Sequence, residues 1–237
     1  SQNLLAAVAL TNVFYPIYIR RLYTKQYVPN KFYESLYTWD AGFYGIGLVE
    51  LDTEKAIECL NSYVTAPGDP HAAFIHHGSP VPVQIYLLEE LWNKTQSMEM
   101  LMYFYPRLKQ YHEFLCGKIG SSTTNTLKSG LLKTWDYFYN SGGWDDYPAQ
   151  VYTHANKLED CVTPVVNTAH AIRTAKILKM AAFILNIEKD ISEYDDEIRM
   201  FSNALQKFSW DEQTGYFGYV IHEKEGRPYN ILRNKDG

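Results

Sequence analysis

Residues 163–185 read TPVVNTAHAIRTAKILKMAAFIL, and residues 194–208 read YDDEIRMFSNALQKF. The first stretch has apolar residues on most sides, which is typical of a helix buried in a protein interior. In the second, apolar residues recur at intervals of four and three with charged residues between them, which predicts a helix with one buried face. A mostly buried helix followed by a half-buried one predicts an inner and an outer layer of helices. The apolar stripe of the second stretch consists of Tyr194, Ile198, Phe201, Leu205 and Phe208.

The upstream sequence carries weaker patterns of the same kind. Only residues 216–221 have the alternation expected of a strand. We therefore predict an all-α chain that forms one domain over residues 1–237. Its further helices are expected near 4–20, 38–49 and 53–64, in a segment from Pro80 to about Trp92, and over 101–115 with a break or kink at Pro106. Long loops are expected at 65–79, 118–160 and 210–237.

Composition excludes several classes of partner. The chain has 22 basic and 27 acidic residues, a net charge of −5, and no basic cluster of the kind that binds nucleic acid. Its three widely spaced cysteines form no disulfide framework, which favours a reducing, cytoplasmic compartment. No apolar run approaches the roughly 18 residues that span a membrane. Because the spacing of His71, His76 and His77 matches no metal-site signature, we expect neither a metal ion nor a cofactor.

Trp-Asp pairs occur at four places in the chain, and those at Trp39 and Trp144 are the candidates for a functional site. Residues 143–148 read GWDDYP, and the flanking glycine and proline predict a loop. A flat indole ring can cover the apolar face of a sugar. A carboxylate can accept hydrogen bonds from the sugar hydroxyls, and a protonated carboxyl can donate a proton. A surface turn with solvated aspartates is the alternative. At Trp39-Asp40, which opens a predicted helix, Asp40 either caps that helix or faces a cleft beside Trp39.

These residues resemble motifs of glycoside hydrolase family 63, the processing α-glucosidase family, and of its trehalase relatives. Gly143 to Pro148 is similar to the segment that carries the catalytic acid of the family. Residues 37–40, YTWD, resemble the Trp-Asp that opens an inner helix, and residues 78–82, GSPVP, resemble the proline-bearing segment between those motifs. The three segments also occur in the order found in the family. The resemblance implies an (α/α)6 barrel.

The resemblance further implies an activity and a set of site residues. The reaction would be hydrolysis of α-glucosidic bonds with inversion, in which one carboxyl protonates the glycosidic oxygen and a second activates water. Asp145 would be the general acid, and an apolar, ring-lined pocket would help it to hold its proton near neutral pH. The residues expected to bind the carbohydrate substrate are Tyr37, Trp39, Asp40, Trp144, Asp146 and Tyr147.

Two features depart from the family pattern. Ala149-Gln150 follow the GWDDYP segment, where family members often carry arginine. The glutamate that acts as base in the family belongs to the second half of the barrel, whereas the helices predicted here account for about half of twelve. We therefore expect half a barrel, a base beyond residue 237, and association with the missing half or with a second copy.

Two other functions fit parts of the same evidence. A sugar epimerase or lyase could use the same fold and a similar aromatic pocket. A helical-repeat module without catalytic activity could bind a protein partner through a concave face. The long aromatic loop at 135–160 argues against the repeat module, because repeats of that kind have short and regular loops.

Overall fold

The computed structural model describes residues 2–19, 22–28, 38–71, 81–134 and 146–233. Within these ranges the chain forms eight α-helices and seven mostly short strands, which confirms the all-α class. The helices are α1 (Gln2–Thr11), α2 (Thr38–Val49), α3 (Thr53–Ser62), α4 (Val83–Thr95), α5 (Met98–Leu115), α6 (Pro148–Ala155), α7 (Val165–Ile184) and α8 (Glu188–Ala204). The strands are β1 (Val13–Ile19), β2 (Leu22–Tyr27), β3 (Val162–Thr163), β4 (Trp210–Asp211), β5 (Tyr216–Phe217), β6 (Val220–His222) and β7 (Pro228–Ile231).

Backbone proximity divides the chain into two compact units, Ser1–Tyr111 and His112–Gly237. Helix α5 belongs to both units, because the boundary falls within its last turns. The single domain and the (α/α)6 barrel remain predictions. In the part of the chain that the structure describes, no helix combines the length and the apolar character needed to cross a membrane.

In the first unit, α2 packs closely against α4, and two glycines of α2 make this possible. A Cβ atom at Gly42 would lie 2.5 Å from the Cβ atom of Val83, and one at Gly45 would lie 2.3 Å from Cδ2 of Leu87. Both partners are fully buried. The small residues between the rings of α2 therefore set the distance between two core helices.

A β-hairpin follows α1, so the prediction of one helix over residues 4–20 is wrong after Thr11. Strands β1 and β2 pair antiparallel, with Val13 opposite Tyr27 and Ile19 opposite Leu22. The register is irregular between Phe14 and Ile17, the segment that contains Pro16, which has no backbone N–H to donate. The cross-strand hydrogen bonds give part of the backbone of residues 13–19 partners without a helix.

Helix α5 has no break at Pro106, since it runs from Met98 to Leu115, and the predicted kink there stays a prediction. Proline in a helix removes one hydrogen bond and costs roughly 3 kcal/mol. Tyr105 and Leu108, on either side of it, are almost completely buried, and their packing offsets this cost. The prediction of one long loop over residues 118–160 is wrong in part, because this segment contains the helix α6.

In the second unit, α7 and α8 follow each other in the chain and pack together. Helix α7 is buried along most of its length, and α8 buries one face. Asn186 ends α7 in the left-handed conformation, with φ 58°, and the N–H of Ile187 donates to the carbonyl of Ala182 at 2.9 Å. The strand predicted at 216–221 is present as β5 and β6, interrupted at Gly218.

Small sheets complete the second unit. Strands β3, β6 and β7 form an antiparallel sheet in that order, and β4 pairs with β5. A turn of π-helix, Leu205–Ser209, leads from α8 into β4. The core beneath α7 and α8 includes Cys116, Leu132, Ala171 and Phe201.

Candidate functional site

The first turn of α2, which carries the predicted Trp-Asp pair, is held by a buried glutamine of α4. The side-chain N–H of Gln84 donates to the carbonyl of Thr38 at 2.5 Å, and its Oε1 accepts from the Tyr111 hydroxyl at 3.5 Å. Thr38, Gln84 and Tyr111 are at most 1% exposed. Because both ends of the Gln84 amide are engaged, the backbone at the start of α2 is fixed.

Trp39 and Asp40 project from this fixed turn and are half-buried. The Trp39 ring meets the exposed Phe43 ring edge-on, with centroids 5.8 Å apart. Burial raises the pKa of the Tyr63 phenol well above its usual value, and the nearby Asp40 carboxylate is among the charges that raise it further. The start of α2 therefore presents an indole and a carboxylate next to a buried tyrosine.

The second group of predicted residues lies at the start of α6. Asp146 and Tyr147 are exposed, and Pro148 occupies the first helical position, where its missing N–H is tolerated. The Tyr147 ring lies 5.7 Å from the ring of Tyr219, which is 4% exposed. The Tyr219 hydroxyl in turn donates to Oε1 of Gln150 at 3.4 Å. The end of the GWDDYP segment is thus anchored to the second unit through Tyr147.

The remaining predicted site residues, Tyr37, Trp144 and the expected acid Asp145, lie outside the described residues. So do Gly78, Ser79 and Pro80 of the proline-bearing segment. The structure brings Trp39 and Asp40 together on α2 in the first unit. It brings Asp146 and Tyr147 together ahead of α6 in the second unit.

A cleft of about 750 Å³ lies between α3 and α5 in the first unit. Its volume is within the range of small-molecule sites. Its described walls carry four carboxylates and one lysine, and none of the predicted sugar-binding residues. The acidic residues are Asp52, Glu54, Glu58 and Glu99.

The second unit contains a buried polar cluster that the sequence did not indicate. His112 and Cys116, four residues apart, are fully buried, and Glu197 of α8 is 4% exposed. His112 Nε2 contacts one oxygen of the Glu197 carboxylate, and the Lys118 ammonium contacts the other. Cys116 Sγ lies 3.6 Å from His112 Nε2 and 3.8 Å from Oε1 of Glu197.

The charge state of this cluster follows from its contacts. Burial alone raises the pKa of the Glu197 carboxyl, but the hydrogen bonds and charges of His112 and Lys118 outweigh it and hold the pKa at about 2. Burial raises the pKa of the Cys116 thiol well above its usual value, and the Glu197 carboxylate raises it further. Glu197 is therefore ionised and Cys116 is a thiol. The four-residue spacing of His112 and Cys116, at the end of α5, was the signal available in the sequence.

Comparison with known proteins gives a likeness of fold. No model of a known protein family matches the chain, and no curated protein matches it. An uncharacterized conserved protein from Thermus thermophilus matches with a TM-score of 0.58 and 19% identity, over 83% of this chain and 62% of that one. A GH63 mannosylglycerate hydrolase from Thermus thermophilus, in complex with Tris, matches with a TM-score of 0.49 and 17% identity, over 81% of this chain and 62% of that one.

These likenesses concern architecture alone. The chain spans 62% of the length of each solved structure that it matches here. At 19% identity, the first match shows that this chain shares the fold of that uncharacterized protein. The TM-score of the second match is too low to support an argument about this chain.

Proposed function

We propose that this chain carries the general acid and part of the sugar pocket of a glycoside hydrolase that cleaves α-glucosidic bonds with inversion. The observation that carries the proposal is the order of three motifs, YTWD at 37–40, GSPVP at 78–82 and GWDDYP at 143–148. A single short match arises easily by chance. Three matches in the order of the resembled family are far more specific.

The described residues support the proposal at two points. Trp39 and Asp40 stand on a backbone turn that buried hydrogen bonds hold in place, as a binding site requires. Tyr147 is anchored by its ring contact with Tyr219, which restrains the residues next to Asp145. Both are loop-proximal positions on a helical scaffold, where binding groups are commonly found.

In the proposed reaction, Asp145 donates its proton to the glycosidic oxygen as the bond from that oxygen to C1 breaks. Water attacks C1 from the opposite face, and a second carboxylate takes the proton that this water loses. The proposal assigns that second carboxylate to no residue of this chain. Trp39 and Trp144 would stack on the sugar. The polar contacts to its hydroxyls would come from Tyr37, Asp40, Asp146 and Tyr147.

Replacement of the acid tests this assignment. Asp145→Asn should slow cleavage of an α-linked glucose disaccharide by about 10²- to 10⁴-fold, the usual contribution of general acid catalysis. Cleavage of α-glucosyl fluoride should change little, because fluoride leaves without a proton donor. Both substrates are assayed with added azide, which can replace a base-activated water as the nucleophile. Asp196→Asn, which changes an exposed carboxylate paired with Arg199, is the matched control.

Equal loss on both substrates would remove Asp145 from the acid role, and so would undiminished cleavage of the disaccharide. An epimerised or unsaturated product from the wild-type protein would place the chain in the epimerase or lyase class. Absence of any reaction with either substrate in azide would contradict a glycosidase function.

Sugar binding can be measured separately from catalysis. A glucose-like iminosugar should quench tryptophan fluorescence, and Trp39→Phe should weaken its binding. Trp210→Phe is the control, because Trp210 packs on Phe217 across the paired strands β4 and β5 of the second unit and has no role in the proposed pocket. Equal binding by the two variants would remove Trp39 from the site.

A further inference from the structure

The buried cluster of the second unit has the composition of a transition-metal site. An imidazole nitrogen, a thiol sulfur and a carboxylate oxygen, from His112, Cys116 and Glu197, all lie within 4.8 Å of one another. All three side chains are buried. We propose that these residues bind a divalent ion of the zinc class, at a site separate from the proposed sugar chemistry.

The distances between the ligand atoms support this assignment. Zinc bonds of about 2.0 Å to oxygen, 2.1 Å to nitrogen and 2.3 Å to sulfur place the sulfur about 3.5 Å from each of the other two atoms in a tetrahedron. Cys116 Sγ lies 3.6 Å from His112 Nε2 and 3.8 Å from Glu197 Oε1. Only Nε2 and Oε1, now in direct contact, must separate to admit the ion.

The hydrogen bonds of His112 aim the correct nitrogen at the site. The Thr174 hydroxyl donates its single hydrogen to the carbonyls of His170 and Ala171, at 2.9 and 3.1 Å. Nδ1 of His112 lies 2.9 Å from the same hydroxyl and is engaged by it. Nε2 is then the nitrogen that faces Cys116 and the Glu197 carboxylate, where the ion would lie in the metal-bound form.

An imidazole whose second nitrogen is held in place by a hydrogen bond is typical of metal-binding histidines. The Lys118 ammonium engages Oε2 of Glu197 and leaves Oε1 for the ion. Nitrogen, sulfur and oxygen ligands together suit zinc better than calcium or magnesium, which take oxygen ligands.

Cobalt(II) is a direct probe of the proposed thiolate ligand. One equivalent of cobalt chloride, added to protein first treated with a chelator, should produce a thiolate-to-cobalt charge-transfer band, and zinc chloride should remove it. Cys116→Ser should abolish the band. Cys161→Ser should retain it, because Cys161 lies in the same unit but outside the cluster.

A second variant separates a metal site from a merely structural cluster. Thr174→Val removes the hydroxyl that engages Nδ1 with little change in shape, and it should keep the band while weakening metal affinity by about 10- to 100-fold. Calorimetry with zinc chloride on the wild-type protein and on this variant measures that change in affinity. The proposal is overturned if the wild-type protein gives no band, or if the band persists in Cys116→Ser. Loss of the band in Cys161→Ser would also overturn it.

Discussion

The contact between α2 and α4 predicts that two glycines only five residues apart respond in opposite ways to the same substitution. Gly42 and Gly47 both lie in α2. A Cβ atom at Gly42 would lie 2.5 Å from the Cβ atom and 2.9 Å from the Cγ1 atom of Val83. A Cβ atom at Gly47 would have nothing within 4 Å. Any difference between the two alanine variants therefore reports on the packing of α2 against α4.

The size of the effect follows from two opposing contributions. Alanine stabilises a helix interior by about 1 kcal/mol relative to glycine. At position 42 the new methyl group must move Val83, a fully buried residue, by about 1 Å to reach ordinary contact, and overpacking of this kind costs about 1–3 kcal/mol. Gly42→Ala should therefore destabilise the protein by up to about 2 kcal/mol, whereas Gly47→Ala should stabilise it by about 0.5–1 kcal/mol.

Urea unfolding followed by far-ultraviolet circular dichroism measures both variants against the wild-type protein. The midpoint should fall for Gly42→Ala and rise for Gly47→Ala, with little change in the slope of either transition. If Gly42→Ala is as stable as Gly47→Ala, the close approach of α2 and α4 is wrong. The placement of Trp39 and Asp40 on α2 would then lose its structural basis.

Three further predictions concern the stability of the two units. Burial, followed by the charge of Arg173, lowers the pKa of His170 to about 4. As the pH falls, His170 of the unfolded chain therefore binds a proton near pH 6.5, whereas His170 of the folded protein binds one only near pH 4. The free energy of unfolding should fall by up to about 3 kcal/mol as the pH drops through this window. His170→Gln should flatten that fall in urea titrations between pH 7 and pH 4, and an unchanged slope would contradict the burial of His170. Gln84→Met should destabilise the protein by about 1–3 kcal/mol, since it leaves the Thr38 carbonyl and the Tyr111 hydroxyl without this partner; a neutral result would show that the amide does not hold the start of α2. Phe201→Ala should cost about 3–5 kcal/mol in the same assay, because Phe201 is fully buried in the core of the second unit, and a cost below 1 kcal/mol would contradict that core.

Helical periodicity was the part of the fold that the sequence predicted best. The stretches at 38–49, 53–64 and 163–185 correspond to helices within two residues at each end, because each presents an apolar face that must be buried. The stretch at 194–208 overlaps α8, which begins earlier, at Glu188, and ends at Ala204. The hairpin at 13–27 was missed. A short run rich in apolar residues fits a helix or a strand equally well, and the choice depended on a partner strand that supplies cross-strand hydrogen bonds.

The burial of Glu197 shows a different limit of sequence reasoning. It stands in the run Asp195-Asp196-Glu197, which predicts a solvated face. The structure buries Glu197 because its partners, His112 and Lys118, are supplied by a segment some 80 residues earlier in the chain. Local pattern cannot reveal a charge that is stabilised by a distant partner.

The candidate sugar site was predicted through resemblance rather than through periodicity. Trp39 and Asp40 occupy the start of a helix, as the YTWD motif implies. The segment of residues 143–148 ends at Pro148, which is the first residue of α6. The anchoring residues Gln84 and Tyr219 were not predicted. Each acts through a hydrogen bond or ring contact with a residue far away in sequence.

The stereochemistry of the first product tests the proposed glycosidase function most directly. An α-linked glucose substrate is mixed with the protein, once without and once with added azide. Proton nuclear magnetic resonance then follows the configuration at C1 of the product during the early reaction. We predict that the first product has the β configuration, as free β-glucose or as β-glucosyl azide, and that Asp145→Asn suppresses it with the disaccharide. A first product of α configuration would contradict the inverting mechanism, and the absence of any cleaved product in either condition would contradict the function itself.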